Sequence, residues 1–123
     1  MLKGKRILLV EDEAMLAMAL EDMLTEEEAT VIGPAASLEQ ALTITKEALR
    51  EGGLDATVLD INIAGQQIWP VMELLRSNGV PIVVQTGYTN FHSSNAPVLH
   101  KPYSSTELVA ALDDATTRMT PAV

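Results

Sequence analysis

Short apolar runs alternate along this chain with longer segments in which apolar residues recur every three or four positions. A short continuous apolar run is typical of a strand buried on both faces, and the longer period is typical of an amphipathic helix. Elements that alternate in this way favour an α/β fold, in which helices cover both faces of a parallel sheet. The predicted strands are residues 7–10, 30–32, 56–59, 81–85 and 97–99.

Turn and capping residues predict where these elements begin and end. The Gly-Pro pair at residues 33–34 is expected to end the second strand, and the Gly-Gly pair at 52–53 to stop the helix after it. Residues 37–40 and 104–107 have the serine-to-Gln or serine-to-Glu spacing of a capping box, which predicts a helix start at each.

The connection between the fourth and fifth strands is unusually short. Only residues 87–96 separate the two strands. A helix rises about 1.5 Å per residue, and turns are needed at both of its ends, so at most about two helical turns fit there. We therefore expect the fourth helix to be shortened or missing.

Composition restricts the class of protein. At 123 residues, with 47% apolar and 20% charged residues, the chain is expected to form a single globular domain over residues 1–123, with no output domain. A formal charge of −9 opposes binding to DNA or RNA phosphates. There is no cysteine, and no apolar run approaches the roughly 20 residues of a membrane span. We expect a cytoplasmic protein, with a monomer favoured.

Polar residues with chemical potential follow four of the predicted strands. Glu11 and Asp12 come after the first strand, Asp60 after the third, Thr86 after the fourth and Lys101 after the fifth. The carboxyl ends of parallel strands meet at one edge of the sheet, where ligands bind. Crowded carboxylates repel one another, and a divalent cation relieves that repulsion; an oxygen-only set suits Mg²⁺.

This arrangement predicts phosphoryl transfer to a carboxylate. Asp60 lies centrally and is the expected nucleophile, while Glu11 and Asp12 would hold the metal. Thr86 would donate a hydrogen bond to one phosphoryl oxygen, and Lys101 would neutralise another. Each residue alone has a plainer explanation, as a helix N-terminus, a turn residue or a solvated charge. Their joint placement at four strand ends favours the functional interpretation.

These residues are also where the sequence resembles the receiver domain of bacterial two-component response regulators. The segments that carry the resemblance are residues 8–13, 58–62, 85–88 and 101–103. The resemblance implies a flavodoxin-like (βα)5 fold, a doubly wound five-stranded parallel sheet. It also implies a Mg²⁺-dependent phosphoprotein rather than an enzyme, which takes its phosphoryl group from a histidine kinase or a histidine phosphotransfer protein and catalyses its own phosphorylation and dephosphorylation.

By matching position, the resemblance implies a role for each site residue. Asp60 would be the phosphoacceptor and Asp12 a direct metal ligand, while Glu11 would act on the metal through water. The backbone carbonyl of Asn62 would be a further metal contact. Thr86 would be the switch hydroxyl, and Lys101 would be the lysine that binds the phosphoryl group.

The match is closer to one subgroup, the stand-alone receivers sometimes called the FAT GUY group after a Phe-Ala-Thr-Gly-Tyr-like stretch. Here Val84 and Gln85 replace the Phe-Ala of that stretch. Ordinary receivers carry an aromatic switch residue three positions before the lysine, and here that position is Val98. We therefore hypothesise that Tyr88 supplies the moving aromatic, and that the usual output face is altered.

The first predicted helix offers a docking surface for the phosphodonor. With Leu16 and Leu20 turned inward, Ala14 and Met18 point towards solvent beside the acidic site. Small and flexible apolar side chains suit contact with a helical partner. An exposed methionine is also ordinary on a protein surface.

Three alternatives stay open on the sequence. A Mg²⁺-dependent phosphatase of the haloacid dehalogenase type also uses a strand-end aspartate, but it needs a second aspartate where this chain has Asn62. A flavodoxin-like FMN binder needs a Ser/Thr/Gly-rich loop after the first strand, where this chain is acidic. The third alternative is a degenerate receiver that acts only as a binding module.

Overall fold

The computed structural model describes residues 2–87, 97–101 and 103–118 of the chain. The expected shortening of the helix between the fourth and fifth predicted strands falls on residues 88–96, outside the described residues. The strands are β1 Arg6–Val10, β2 Thr30–Ala35, β3 Ala56–Asp60, β4 Asn62–Ile63, β5 Gln66–Gln67, β6 Ile82–Thr86 and β7 Val98–His100. The helices of the described part are α1 Ala14–Glu26, α2 Leu38–Arg50, α3 Trp69–Ser77 and α4 Ser105–Arg118.

Five strands form one parallel sheet in the order β2-β1-β3-β6-β7. The chain winds from β1 outward to β2, and then crosses β1 to build the rest of the sheet on the other side. The predicted five-stranded, doubly wound parallel sheet is therefore confirmed. Because all five strands run the same way, the ends of β1, β3, β6 and β7 lie at one edge.

Each face of the sheet has its own core, which follows from the alternation of side chains along a strand. Leu8, Leu59 and Val84 face α2 and α3, and their neighbours in sequence face α1 and α4. The strand residues that face α1 and α4 include Ile7, Leu9, Val58 and Val83, all fully buried. Two covered faces hold the central strands rigidly, and so fix the positions of the residues at their ends.

The end predicted for the second strand is wrong. β2 continues through Gly33 and Pro34 to Ala35, with a register shift against β1 between Leu8 and Val10. The extra residue is accommodated because Gly33 adopts φ 104°, a conformation that side chains disfavour. The continuation matters for the site, because the Ala35 carbonyl accepts a hydrogen bond of 2.9 Å from the Glu11 N–H.

Both predicted capping sites lie at helix starts, with one difference in detail. Glu107 accepts from the Ser104 N–H at 3.0 Å, and the Ser104 hydroxyl accepts from the Glu107 N–H at 3.2 Å, which is a reciprocal capping box. At α2 the Ser37 hydroxyl accepts from the Gln40 N–H, but the Gln40 side chain accepts from Ala36 instead. Both helices therefore begin where the serine residues predict.

A small antiparallel hairpin, β4–β5, follows the end of β3 and was not predicted. Its turn is Ala64-Gly65, with φ of 51° and 81°, the left-handed conformation that two-residue hairpin turns require. Ile63 is fully buried and anchors the hairpin against the core of α2 and α3. The hairpin places a backbone turn directly over the end of β1.

Candidate phosphoryl-transfer site

Three carboxylates meet where β1 and β3 end. Glu11 and Asp12 follow β1, and Asp60 is the last residue of β3. Each offers one oxygen atom, and these three atoms lie within 4.8 Å of one another. Glu11 is 1% exposed and Asp60 8%, whereas Asp12 is exposed. The structure thus brings together the three carboxylates that the sequence placed at this edge.

Lys101 reaches into this cluster from the end of β7. Its ammonium lies 2.5 Å from Asp60 Oδ2 and 3.0 Å from Glu11 Oε1. Its backbone N–H also donates to the Thr86 carbonyl at 2.8 Å, which fixes the lysine to the end of β6. One positive charge is therefore shared between two buried carboxylates.

Hydrogen bonds occupy both oxygens of Glu11. Oε2 accepts from the Glu13 N–H at 2.9 Å, and Oε1 accepts from Gln85 Nε2 at 2.9 Å as well as from Lys101. Burial raises the pKa of Glu11, and this outweighs the lowering by the Glu13 and Lys101 hydrogen bonds. Glu11 is thus held in place by donors, yet still favours a further positive charge.

The lysine responds to the same surroundings in the opposite sense. Burial alone would lower the pKa of Lys101, but its hydrogen bonds to Asp60 and Glu11 raise the pKa above the ordinary value. Lys101 therefore stays protonated at neutral pH and is available as a cation for an anionic group bound at Asp60.

The hairpin completes the open side of the cluster. The Ala64 N–H donates to Asp12 Oδ2 at 2.9 Å, and the Asn62 N–H donates to Asp60 Oδ1 at 3.3 Å. The side-chain oxygen of Asn62 is buried and has no hydrogen-bond partner. The three carboxylates supply oxygen atoms alone, and such a set fits a hard divalent cation such as Mg²⁺.

The remaining predicted site residues are Thr86, Tyr88, Ala14 and Met18. Thr86 is the last residue of β6 and is buried at the same edge of the sheet. Tyr88 lies outside the described residues. Ala14 and Met18 are exposed on α1, and Met15 beside them is 84% exposed, which the sequence pattern had not singled out.

The site contains two further polar residues that the sequence did not indicate, Gln85 and Tyr103. Gln85 is fully buried, and its amide oxygen accepts a hydrogen bond from the Tyr103 hydroxyl. The available signal was a lone glutamine inside the apolar run of the fourth strand. A buried amide needs partners on both its ends, but the sequence does not show which residues supply them.

The family model for the response regulator receiver domain matches residues 7–113. The chain belongs to this family. Receiver domains are signalling domains of two-component systems rather than classical enzymes, and the acidic edge with its lysine lies within the matched region. The five-stranded fold and the acidic cluster agree with this assignment.

Known proteins resemble the chain over nearly its whole length. The transcriptional regulatory protein PdtaR of Mycobacterium tuberculosis is 27% identical over 122 residues, which are 93% of this chain but 58% of PdtaR. The chain therefore spans little more than half the length of that relative. A response regulator receiver protein of Sinorhizobium medicae has a solved structure with a TM-score of 0.80 and 25% identity, covering 97% of this chain and 99% of that one.

A third similar protein is the receiver domain of the sensor histidine kinase PA1611 of Pseudomonas aeruginosa. Its TM-score is 0.73 at 24% identity, and the match covers 93% of this chain and 98% of that one. That crystal structure has a magnesium ion coordinated in the active-site cleft. At this level of identity the likeness shows the shared fold.

No helix in the described part of our chain combines the length and apolar character of a membrane span.

Proposed function

We propose that this receiver accepts a phosphoryl group on Asp60 from a histidine kinase or a histidine phosphotransfer protein, in a Mg²⁺-dependent reaction. The observation that carries the proposal is the convergence of Lys101 and two carboxylates on Asp60, with the lysine at 2.5 Å. The proposal includes a monomeric receiver in the cytoplasm that signals by protein contact and without DNA.

The chemistry follows from the partners of Asp60. One carboxylate oxygen forms a bond to phosphorus while the P–N bond to the donor imidazole breaks, and the imidazole nitrogen keeps the electron pair. The Asn62 N–H holds one oxygen of Asp60, so the carboxylate keeps its orientation. Lys101 can leave Glu11 to neutralise a phosphoryl oxygen, and the buried Thr86 is assigned the hydrogen bond to another.

Asp12 and Asp60 would hold Mg²⁺ directly, with the backbone carbonyl of Asn62 as a further ligand and Glu11 acting through water. When bound, the cation supplies positive charge that offsets the repulsion between carboxylates and phosphoryl oxygens. The support for this assignment is the oxygen-only donor set, together with the magnesium ion in the related cleft of the Pseudomonas receiver.

The phosphatase alternative lacks the residue that it needs. Its acid/base would have to lie two residues after Asp60, and Asn62 is an amide that cannot take or give a proton at neutral pH. A degenerate receiver that only binds a partner stays a possible outcome of the experiment below.

Incubation with Mg²⁺ and acetyl phosphate, followed by intact mass measurement, tests the nucleophile. Wild type should gain the mass of one phosphoryl group, and Asp60→Asn should gain none, because an amide oxygen is a poor nucleophile. Asp55→Asn is the matched control, since Asp55 lies before β3, at the opposite edge of the sheet, where it accepts from the Arg6 N–H. Equal labelling of wild type and Asp60→Asn would contradict the assignment, and an unlabelled wild type would indicate a binding module.

The exposed apolar face of α1 is the proposed docking surface for the phosphodonor protein. Ala14, Met15 and Met18 are exposed within the first five residues of α1, the helix that follows Glu11 and Asp12. Substitution Met18→Glu should lower the rate of phosphotransfer from the histidine-bearing partner by about 10-fold, because a buried unpaired charge opposes the contact. Labelling by acetyl phosphate should not change.

Thr25→Glu provides the control for this surface. Thr25 is exposed on the same helix, two turns further from the site, and the substitution adds the same charge. An equal loss in both variants would point to overall charge repulsion and against a local contact.

Tyr88→Ala tests the separate hypothesis that Tyr88 is the moving aromatic. If that variant still shows the full phosphorylation-dependent change in structure or in kinase affinity, the hypothesis is refuted.

A further inference from the structure

A chain of buried hydrogen bonds leads away from the carboxylate cluster through Gln85. This residue lies in β6, all five residues of which are buried, between β3 and β7. A primary amide in such a place destabilises the fold unless both its ends are hydrogen-bonded. Neither Thr45 nor Thr57, which are also buried, has a hydrogen-bond partner for its hydroxyl. Gln85 is satisfied at both ends.

The two partners of Gln85 fix the orientation of its amide. Nε2 donates to Glu11 Oε1 at 2.9 Å, and Oε1 accepts from the Tyr103 hydroxyl. An ionised carboxylate only accepts, so the amide nitrogen must face Glu11. The tyrosine then has to be the donor at the other end. Reversing the amide would put two oxygens together in the core.

Gln85 and Lys101 both donate to the same oxygen of Glu11, but their side chains differ in how far they can move. Lys101 has a long side chain that is 21% exposed, and under the proposed function it follows the phosphoryl group. Gln85 is fully buried on a central strand and cannot follow. When the lysine leaves, Gln85 remains as the donor that keeps Glu11 Oε1 in place, and Tyr103 keeps Gln85 in place.

We propose that Gln85 and Tyr103 form a positioning pair for Glu11, so that Mg²⁺ affinity depends on a tyrosine hydroxyl outside the carboxylate cluster. The inference rests on the proposed function, because it assumes that Mg²⁺ binds at these carboxylates. Tyr103 lies between Lys101 and the capping serine of α4. The pair thereby links the start of α4 to the cation site, through a route separate from the lysine.

Titration calorimetry with MgCl₂, without any phosphodonor, is the central measurement. Tyr103→Phe removes one oxygen and keeps the ring, and Gln85→Leu removes both hydrogen bonds at similar volume. Each should raise the Kd for Mg²⁺ by about 10-fold, the size of effect seen when groups that orient metal ligands are lost. The double variant should resemble the single variants, because the two residues act in one chain of hydrogen bonds.

Thr57→Val is the matched control, because it removes a buried hydroxyl from the neighbouring strand without touching Glu11. Its Kd should stay within about twofold of wild type. A second readout is the side-chain amide of Gln85 in ¹⁵N NMR spectra of the metal-free protein. Its resonances should shift in Tyr103→Phe and stay unchanged in Thr57→Val.

The outcomes separate this inference from the proposed function. A folded Tyr103→Phe with the Mg²⁺ affinity of wild type would overturn the positioning pair, even if stability falls, since that result is what simple core packing predicts. This holds also if Gln85→Leu fails to fold. A wild type that binds no Mg²⁺ and takes up no phosphoryl group would overturn the proposed function and this inference with it.

Discussion

Glu11 shows how the site is balanced at the scale of single residues. Its carboxylate is almost fully buried, yet it is surrounded by three donors, from Glu13, Gln85 and Lys101. Burial prevails and the pKa of Glu11 is raised. The sequence placed Glu11, Asp60 and Lys101 at one edge, because each follows a predicted strand. It could not show that Gln85 turns its amide to Glu11, since the two residues are 74 positions apart.

The raised pKa of Glu11 predicts a pH dependence of stability in the absence of divalent cations. The folded state keeps the Glu11 proton at pH values where the unfolded chain has lost it, so the folded state binds more protons and stability falls as pH rises. The fall should begin near the ordinary pKa of 4.5 and end above the raised one.

Urea unfolding of wild type and Glu11→Gln, at pH values from about 4 to 7, isolates this effect. The free energy of unfolding of the variant should rise relative to wild type as pH increases through the window. Carboxylates that lie away from Glu11 contribute alike to both proteins and cancel in the difference. A difference that is constant with pH, or that changes in the opposite direction, would contradict the prediction.

At the scale of elements, β2 departs most from the sequence pattern. The Gly-Pro pair predicts a strand end, but the strand continues to Ala35 because the register shifts by one residue against β1. Only glycine suits position 33. A Cβ there would lie 2.8 Å from the Leu9 carbonyl oxygen and 2.9 Å from the Ala35 nitrogen, and φ is 104°. The pairing of β2 with β1 decides where the strand ends, and the local turn propensity of the Gly-Pro pair does not.

Gly33→Ala should therefore destabilise the fold by about 2 kcal/mol, from the contact with backbone atoms and from backbone strain. Chemical unfolding of wild type and variant measures the difference. Gly87→Ala is the control, because a Cβ there meets nothing within 4 Å and φ is not left-handed. Its effect should stay within about 0.5 kcal/mol. Equal losses in both variants would argue against a specific contact at Gly33.

At the scale of the whole molecule, two separately packed faces hold four strand ends in one place. α2 and α3 cover one face of the sheet, and α1 and α4 cover the other. The carboxylates that repel one another are thus kept together by burial elsewhere in the molecule. The repulsion between these carboxylates lowers the free energy of unfolding, and a bound cation should restore part of it.

Magnesium should accordingly raise the stability of the entire domain. Binding to the folded state alone adds about 2.7 kcal/mol at a Mg²⁺ concentration of 100 Kd, which is about 10 °C in Tm for a domain of this size. Asp12→Asn should lose most of this gain, because Asp12 is the carboxylate most open to a cation. Asp22→Asn, exposed on α1, should keep it. Thermal unfolding with Mg²⁺ or with EDTA makes the comparison.

The sequence by itself determined the five main strands, the flanking helices and the residues that follow each strand. These depend on hydrophobic periodicity and on capping residues, which act over a few neighbouring positions. Only the tertiary structure decided the continuation of β2, the hairpin whose Ala64 N–H meets Asp12, and the hydrogen bonds from Tyr103 through Gln85 to Glu11. Each of these joins residues far apart in the chain, and such pairings are set by how strands align and pack.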